Sequence, residues 1–247
     1  MFHAEADVPA AGLGQPVIDV LILGASWATA QHPVVDAFTG ALDPARFSPR
    51  VLSYSAPGGG RSALLDELRR GSGPVVLAGY AQGAAIVGDL AAAASADPRW
   101  RARIAGCALI SDPLRPAGVA IGADPGGYGM LGERRIDGVP AYWSAAHGDL
   151  TTALCADSAL RSIAEVCEYA DLASVEEMVD WGRRMVDADI RDQLRCYPFG
   201  LRSWNARGAE LSRLSAYLFT RQYVDEYLVE GGAVSLAEVL NRELTIC

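Results

Sequence analysis

One short segment in the middle of the chain constrains the fold more than any other part of the sequence. The segment Gly-Tyr-Ala-Gln-Gly at 79–83 follows the apolar run 74–78 and opens the small-residue stretch 84–94. An apolar run of this length bounded by glycine is typical of a buried strand, and an alanine-rich stretch favours a helix. Because glycine lacks a Cβ, the two flanking glycines let strand and helix approach closely. The segment therefore predicts a strand, a sharp turn and a helix.

The central residue of this turn decides what chemistry the segment can do. With serine at its centre the segment would have the form Gly-x-Ser-x-Gly, a nucleophile elbow that holds a serine hydroxyl above the end of a strand. The chain has Ala81 at that position, between the elbow glycines Gly79 and Gly83. A methyl group cannot attack a carbonyl carbon. The sequence therefore predicts the backbone of an acyl-transfer site from which the nucleophile is missing.

Apolar runs and helical patterns alternate along the first part of the chain. Strands are predicted at 17–23, 50–54, 74–78, 104–111 and 139–145, and helices at 33–42, 62–70 and 84–94. Ser62 is expected to cap the second of these helices, and the glycine-rich stretch 118–138 predicts a long loop. Strands that alternate with helices form a parallel sheet covered on both faces, so we predict the α/β class.

The later part of the chain has helical spacing without a clear strand. Helices are predicted at 159–169, 174–186, 188–194 and 210–227, and the Ser-x-x-Glu pattern at Ser235 predicts the start of a short final helix. We divide the chain into an N-terminal arm at 1–14, a sheet domain at 15–155, a helical insertion at 156–209 and C-terminal helices at 210–247. The last of these are expected to pack back on the sheet domain.

Composition excludes several functional classes. A net charge of −9 argues against a nucleic-acid-binding surface, which needs a basic face. All 21 basic residues are arginine, which is typical of codon usage in GC-rich genomes such as those of actinobacteria and their phages. The segment 1–14 does not have the pattern of a signal peptide, and no apolar run approaches the ~18 residues of a membrane helix. We therefore expect synthesis in a reducing cytoplasm and no membrane span.

Cysteine spacing gives no sign of a metal or cofactor. The chain has five cysteines, Cys107, Cys155, Cys167, Cys196 and Cys247, without a Cys-x-x-Cys pair. An odd number at such spacings favours thiols over a metal site or a complete disulfide framework, although one bridge between Cys155 and Cys167 stays open. No phosphate loop or dinucleotide fingerprint is present, so no cofactor is expected.

The other parts of an acyl-transfer site are incomplete. Asp149 follows the last predicted strand, where an α/β hydrolase carries its acid, although a turn residue or a helix cap would also suit this position. The general base should come later, but none of the three histidines, His3, His32 and His147, follows Asp149. His147 remains a weak candidate base. The amides of Gln82 and of the segment that includes Ala25 and Ser26 could form an oxyanion hole.

These segments resemble those of the cutinase-like serine esterases, and among them the lysin B proteins of mycobacteriophages. The first similar segment is Gly-Tyr-Ala-Gln-Gly-Ala at 79–84, where the family has serine in place of Ala81. The second is Asp-Pro-Leu-Arg at 112–115. The third is 132–150, which includes Trp143 and Gly-Asp-Leu at 148–150. The resemblance covers roughly residues 15–155. It implies a cutinase-like α/β-hydrolase fold, Asp149 as the acid, and linker helices before a histidine expected within 210–217, where the chain has none.

The resemblance leaves three functional hypotheses. Lysin B proteins hydrolyse the ester between mycolic acids and arabinogalactan, but two of three triad positions lack the required residue here. The first hypothesis is a catalytically inactive binding or structural module in an actinobacteriophage virion, contacting other virion proteins or host-envelope lipid or glycan. The second is an esterase whose serine was replaced by alanine at position 81. The third recruits Asp149 or a cysteine for different chemistry.

Overall fold

The computed structural model of the chain describes residues 17–24, 32–54, 59–94, 96–158, 161 and 222–244. Its strands are β1 (Ile18–Leu23), β2 (Phe47–Leu52), β3 (Val75–Tyr80), β4 (Ile104–Ile110) and β5 (Ala141–Ser144). Its helices are α1 (Pro33–Gly40), α2 (Gly59–Arg70), α3 (Gln82–Ala94), α4 (Pro98–Arg101), α5 (Gln222–Leu228) and α6 (Gly232–Glu243). The predicted N-terminal arm and the predicted helices 174–186 and 188–194 lie outside the described residues.

The described strands form one parallel sheet in the order β2-β1-β3-β4-β5. This confirms the predicted α/β class. The strand order reverses between β1 and β3, and at such a switch point the loops after the two strands diverge and leave a crevice. Leu23 pairs with Gly79 at this edge, so β1 and β3 end side by side where the predicted elbow begins.

Apolar side chains cover both faces of the sheet. Along β1 the side chains alternate, so Val20 packs in one cluster with Phe38 of α1 and Leu236 of α6, while Leu21 packs in a second cluster with Val87 of α3. This two-residue period is the property of a strand with two buried faces. Helix α6 also packs against β5. The C-terminal end of the chain is therefore part of the sheet's cover.

None of the helices in the described part of the chain is long and apolar enough to cross a membrane.

Three predicted boundaries are wrong, each for a local reason. Helix α2 begins at Gly59, so Ser62 lies inside its first turn and is not the cap. Helix α6 begins at Gly232 after Gly231, whose φ of 77° only glycine adopts easily, so the capping-box pattern at Ser235 lies within the helix. Strand β2 includes Pro49, which an edge strand tolerates because one side of its backbone needs no partner.

Arg115 organises the loop between β4 and β5. Its side chain is fully buried, and its guanidinium donates hydrogen bonds to the carboxylate of Asp124 and to a set of main-chain oxygens. These are the carbonyls of Thr152, Pro116, Val119, Gly126 and Gly127. No helix or strand of the described chain falls within 118–138, as predicted. Hydrogen bonds from side chains to the main chain, with those of Arg115 the most numerous, therefore hold this loop in place of secondary structure.

Arg134 connects this loop to α3. It donates to the Ala85 carbonyl at 2.9 Å and to Oδ2 of Asp112 at 2.6 Å, and the same Asp112 oxygen accepts from the Trp143 indole at 2.9 Å. The guanidinium lies directly on Gly88, where a Cβ would be 1.9 Å from Nη2 of Arg134. The helix that follows the elbow is thereby fixed to the loop that leads to β5.

Candidate active site

The elbow backbone is formed as the sequence predicts. Ala81 follows β3 with φ 52°, its N–H donates to the Ile110 carbonyl at 2.9 Å, and its carbonyl accepts from the Ala84 N–H at 2.9 Å. A Cβ on Gly79 would be 2.5 Å from the Gly83 carbonyl, and one on Gly83 would be 2.3 Å from the Leu23 carbonyl oxygen. Both glycines are therefore required by close main-chain contacts.

Ala81 places a methyl group at the apex of this turn. The left-handed region costs a residue that carries a Cβ on the order of 1–3 kcal/mol at such a site. Gln82 is the first residue of α3, so its amide belongs to the first helical turn, whose N–H groups have no acceptor inside the helix. Ala25 and Ser26, the predicted partners of Gln82 in an oxyanion hole, lie outside the described residues.

Asp149 lies in a turn after β5 and is completely buried. Its Oδ2 accepts from the Tyr227 hydroxyl at 2.7 Å, its Oδ1 accepts from the Thr151 N–H at 3.0 Å, and the hydroxyls of Ser111 and Thr151 also hydrogen bond to the carboxylate. Burial raises the pKa of Asp149, while these hydrogen bonds act in the opposite direction. Both oxygens of the predicted acid are thus engaged within the protein.

Tyr227 of α5 is a site residue that the sequence did not reveal. It is fully buried, and burial together with the adjacent Asp149 raises the pKa of its phenol well above the ordinary value. Its ring meets the Tyr80 ring edge to face, with centroids 6.4 Å apart. The preceding residue, Glu226, accepts the Gly148 N–H at 3.1 Å. Two consecutive side chains therefore attach α5 to the turn that carries the acid.

Ser111 is the second residue other than glycine with a positive φ in the described chain, at 55°. It follows β4, and its N–H donates to the Ser144 carbonyl at 3.1 Å. Its buried hydroxyl hydrogen bonds to Asp149 and Tyr227. Strained backbone persists where surrounding contacts fix it. Two neighbouring strands, β3 and β4, therefore both end in a left-handed residue at this edge of the sheet.

The two described histidines contact main-chain atoms and the Tyr80 ring. His147 is exposed, with Nδ1 3.3 Å from the Pro125 carbonyl, because the turn from Ala146 to Asp149 points it away from the buried acid. His32 caps α1, its Nδ1 accepts from the Val34 N–H at 3.3 Å, and its ring lies 4.6 Å from the Tyr80 ring. His3 and the segment 210–217 lie outside the described residues.

The described cysteines offer no obvious nucleophile. Cys107 is buried in β4, and burial raises the pKa of its thiol far above the ordinary range, so it stays protonated. Cys155 is exposed, and Cys167, to which a bridge stays open, lies outside the described residues. Within the described ranges, no three His, Cys, Asp or Glu side chains gather in a group that could hold a metal ion.

The buried acid predicts a pH dependence of stability. Because the folded protein raises the pKa of Asp149, the stability that this carboxyl contributes is present at low pH and is lost as the pH rises through the folded pKa. Asp149→Asn cannot ionise, so the stability of the parent relative to this variant should decrease as the pH rises from about 4, the ordinary aspartate pKa, toward neutral. Thermal unfolding across this range measures it, with the exposed Asp66→Asn as control. A difference that increases with pH would contradict the assignment.

Comparison with solved structures places this site in a known architecture. Lysin B from Mycobacteriophage D29 matches with a TM-score of 0.53 and 16% identity, over 65% of this chain and 77% of that one. A cutinase-like protein from Cryptococcus sp. matches with a TM-score of 0.40 and 16% identity, over 58% and 82%. No family model matches the sequence, and a search of curated proteins gives no match. The likeness to lysin B confirms the predicted cutinase-like fold.

Proposed function

We propose that this chain, which has the cutinase-like α/β-hydrolase fold, is a binding or structural module that does not hydrolyse esters. The observation that carries the proposal is Ala81, a methyl group at the apex of an otherwise complete elbow. Loss of the nucleophile or the base in serine hydrolases of this type lowers kcat by about 10⁶-fold, and oxyanion stabilisation alone leaves about 10³–10⁴-fold catalysis over water. A chain with this elbow is therefore not an efficient esterase.

The environment of Asp149 supports the same proposal. In a serine triad the acid accepts an N–H from the base, holds its ring in the right tautomer and stabilises its positive charge. Here Oδ2 accepts the Tyr227 hydroxyl and Oδ1 accepts the Thr151 N–H, in a site without solvent exposure. The carboxyl therefore serves to hold α5 against the end of the sheet.

The proposed setting is an actinobacteriophage virion. The chain would be made in the cytoplasm and incorporated in the tail, the baseplate or the capsid surface, where it contacts the host envelope. Support comes from the fold shared with a mycobacteriophage lysin B and from the arginine-only basic composition. The partners would be other virion proteins and a lipid or glycan of the envelope, since a cleft at the switch point of the sheet is where this class of fold binds ligands.

Sedimentation with purified mycobacterial cell walls tests the binding role. The chain is expected to sediment with intact walls and to sediment less with walls treated with alkali, because alkali removes ester-linked lipids. An unrelated acidic protein of similar net charge controls for nonspecific association. Complete recovery in the supernatant with both preparations would contradict envelope binding. Mass spectrometry of purified particles would then show whether the chain is a virion component.

A second candidate is a lysin B-like esterase in which Ala81 replaces the serine. The observation that favours it is the elbow backbone itself. Ala81 keeps a strained φ of 52°, a conformation that would present a serine hydroxyl for catalysis but has no catalytic use when the side chain is a methyl group. The two candidates differ in one outcome. The second predicts that Ala81→Ser reacts with a fluorophosphonate, a probe of activated serines, and the first predicts that it does not.

A further inference from the structure

We infer that the Tyr227 phenol fills the place beside Asp149 that the ring of a general base would need, so that removing the phenol opens a site for imidazole. The inference rests on the proposed function, because it concerns the same elbow and the same acid. Tyr227 would then do more than pack α5 against the sheet. Its side chain would occupy the space between Asp149 and β3, the strand that leads to the elbow.

The contacts place the phenol between these two elements. Its hydroxyl lies 2.7 Å from Oδ2 of Asp149, and its ring meets edge to face the ring of Tyr80, the residue directly before Ala81. Ala81 itself packs against the apolar cluster to which Tyr227 belongs. A planar ring that donates a hydrogen bond to the acid has the first of the two relations that a triad requires of its base, and the Tyr80 contact places this ring beside the strand that leads to the elbow.

The other donors to Asp149 do not have this arrangement. Thr151 belongs to the acid's own turn, and Ser111 lies at the end of the adjacent strand, so both are small side chains supplied by the sheet edge. Tyr227 reaches the carboxylate from a position 78 residues later in the chain. Of the described residues that donate a hydrogen bond to the Asp149 carboxylate, Tyr227 is the one with an aromatic side chain. Truncation at Tyr227 would therefore leave Oδ2 facing a space of ring size with no change to the acid's own turn.

Imidazole matches such a space chemically. One ring N–H can donate to the carboxylate, and the other nitrogen can accept a proton near neutral pH. In Ala81→Ser combined with Tyr227→Ala, imidazole would take the proton of the introduced hydroxyl while its oxygen attacks the phosphorus of a fluorophosphonate. The O–P bond forms, the P–F bond breaks, fluoride leaves, and the proton stays on the imidazolium. No further reactant is needed.

The experiment compares fluorophosphonate labelling rates with and without added imidazole in three folded proteins. These are A81S, A81S/Y227A and A81S/Y227F. We expect imidazole to raise the rate in A81S/Y227A by at least about tenfold, below the 10²–10⁴-fold of a fully positioned base. A81S and A81S/Y227F should not respond, because an aromatic ring still occupies the space. A rise in melting temperature with imidazole in A81S/Y227A alone would report binding directly.

The outcomes separate this inference from the proposed function. Rapid labelling of A81S without imidazole would overturn the proposed function, since a working base would exist elsewhere. Inert A81S together with no imidazole response in A81S/Y227A would overturn the inference and leave the proposed function standing. If Tyr227→Ala prevents folding, Tyr227→Val keeps a branched apolar stem in the core, lacks the phenol, and is assayed and interpreted in the same way.

Discussion

Gly83→Ala is expected to destabilise the protein by at least about 3 kcal/mol, although it adds a single methyl group. Overpacking in a core usually costs about 1–3 kcal/mol when side chains can adjust. Here the new Cβ would lie 2.3 Å from the Leu23 carbonyl oxygen and 2.4 Å from that of Gly24. These are main-chain atoms at the end of a central strand, so relief requires α3 to move away from β1.

Gly40→Ala is the matched control for this change. It adds the same methyl group at the end of α1, where nothing lies within 4 Å of the new Cβ. Its effect should be neutral or stabilising by up to about 1 kcal/mol, because alanine restricts the unfolded chain more than glycine does. Denaturant unfolding of the two variants beside the parent measures both values. Equal stability of Gly83→Ala and Gly40→Ala would show that the elbow is not packed as described.

Arg115→Met is expected to cost at least about 3 kcal/mol, because five main-chain carbonyls lose a hydrogen-bond donor and each buried acceptor left unpaired costs about 1–3 kcal/mol. Methionine keeps much of the stem's apolar volume but donates no hydrogen bond. The carbonyl of Thr152 and those of four residues in the loop would lose their donor. The carboxylate of Asp124 would lose its ion pair as well. The loop that leads from β4 to β5 should then lose its fixed conformation.

Arg69→Met provides the comparison. Arg69 also forms an ion pair, 3.2 Å from Asp66, but its side chain is 65% exposed. Exposed pairs of this kind contribute about 0–1 kcal/mol, so this variant should unfold close to the parent. Denaturant midpoints of both variants give the contrast. A loss at Arg115 no larger than that at Arg69 would mean that the buried hydrogen bonds do not hold the loop.

The elements that the sequence predicts correctly are those with a local signal. The runs of β1, β3 and β4 are apolar apart from Asp19 because both faces of each strand are buried, and such runs are visible without tertiary information. The elbow is equally local, since Gly79 and Gly83 lie within five residues of the turn that needs them. Asp149 is predicted as the acid from its position directly after a late strand, and the structure places it in a buried turn after β5.

The remaining features depend on contacts between distant segments. Tyr227 and Ser111 reach Asp149 from α5 and β4, and nothing in either neighbourhood distinguishes them from ordinary core residues. The burial of Arg115 likewise cannot be predicted from the sequence. Its acceptors are mostly main-chain carbonyl oxygens, which are present at every residue and leave no sequence pattern. Sequence patterns therefore identify the turn that carries Asp149, and the structure shows which side chains hold its carboxylate.

Reaction of the parent chain and of Ala81→Ser with a fluorophosphonate, followed by intact-protein mass, tests the central claim most directly. An active cutinase serves as the positive control, and thermal unfolding shows that the variant is folded. The account predicts no adduct on either protein, because a serine at this elbow would still lack a base. A stoichiometric adduct on Ala81→Ser would contradict it and would make the chain an esterase that lacks only its nucleophile.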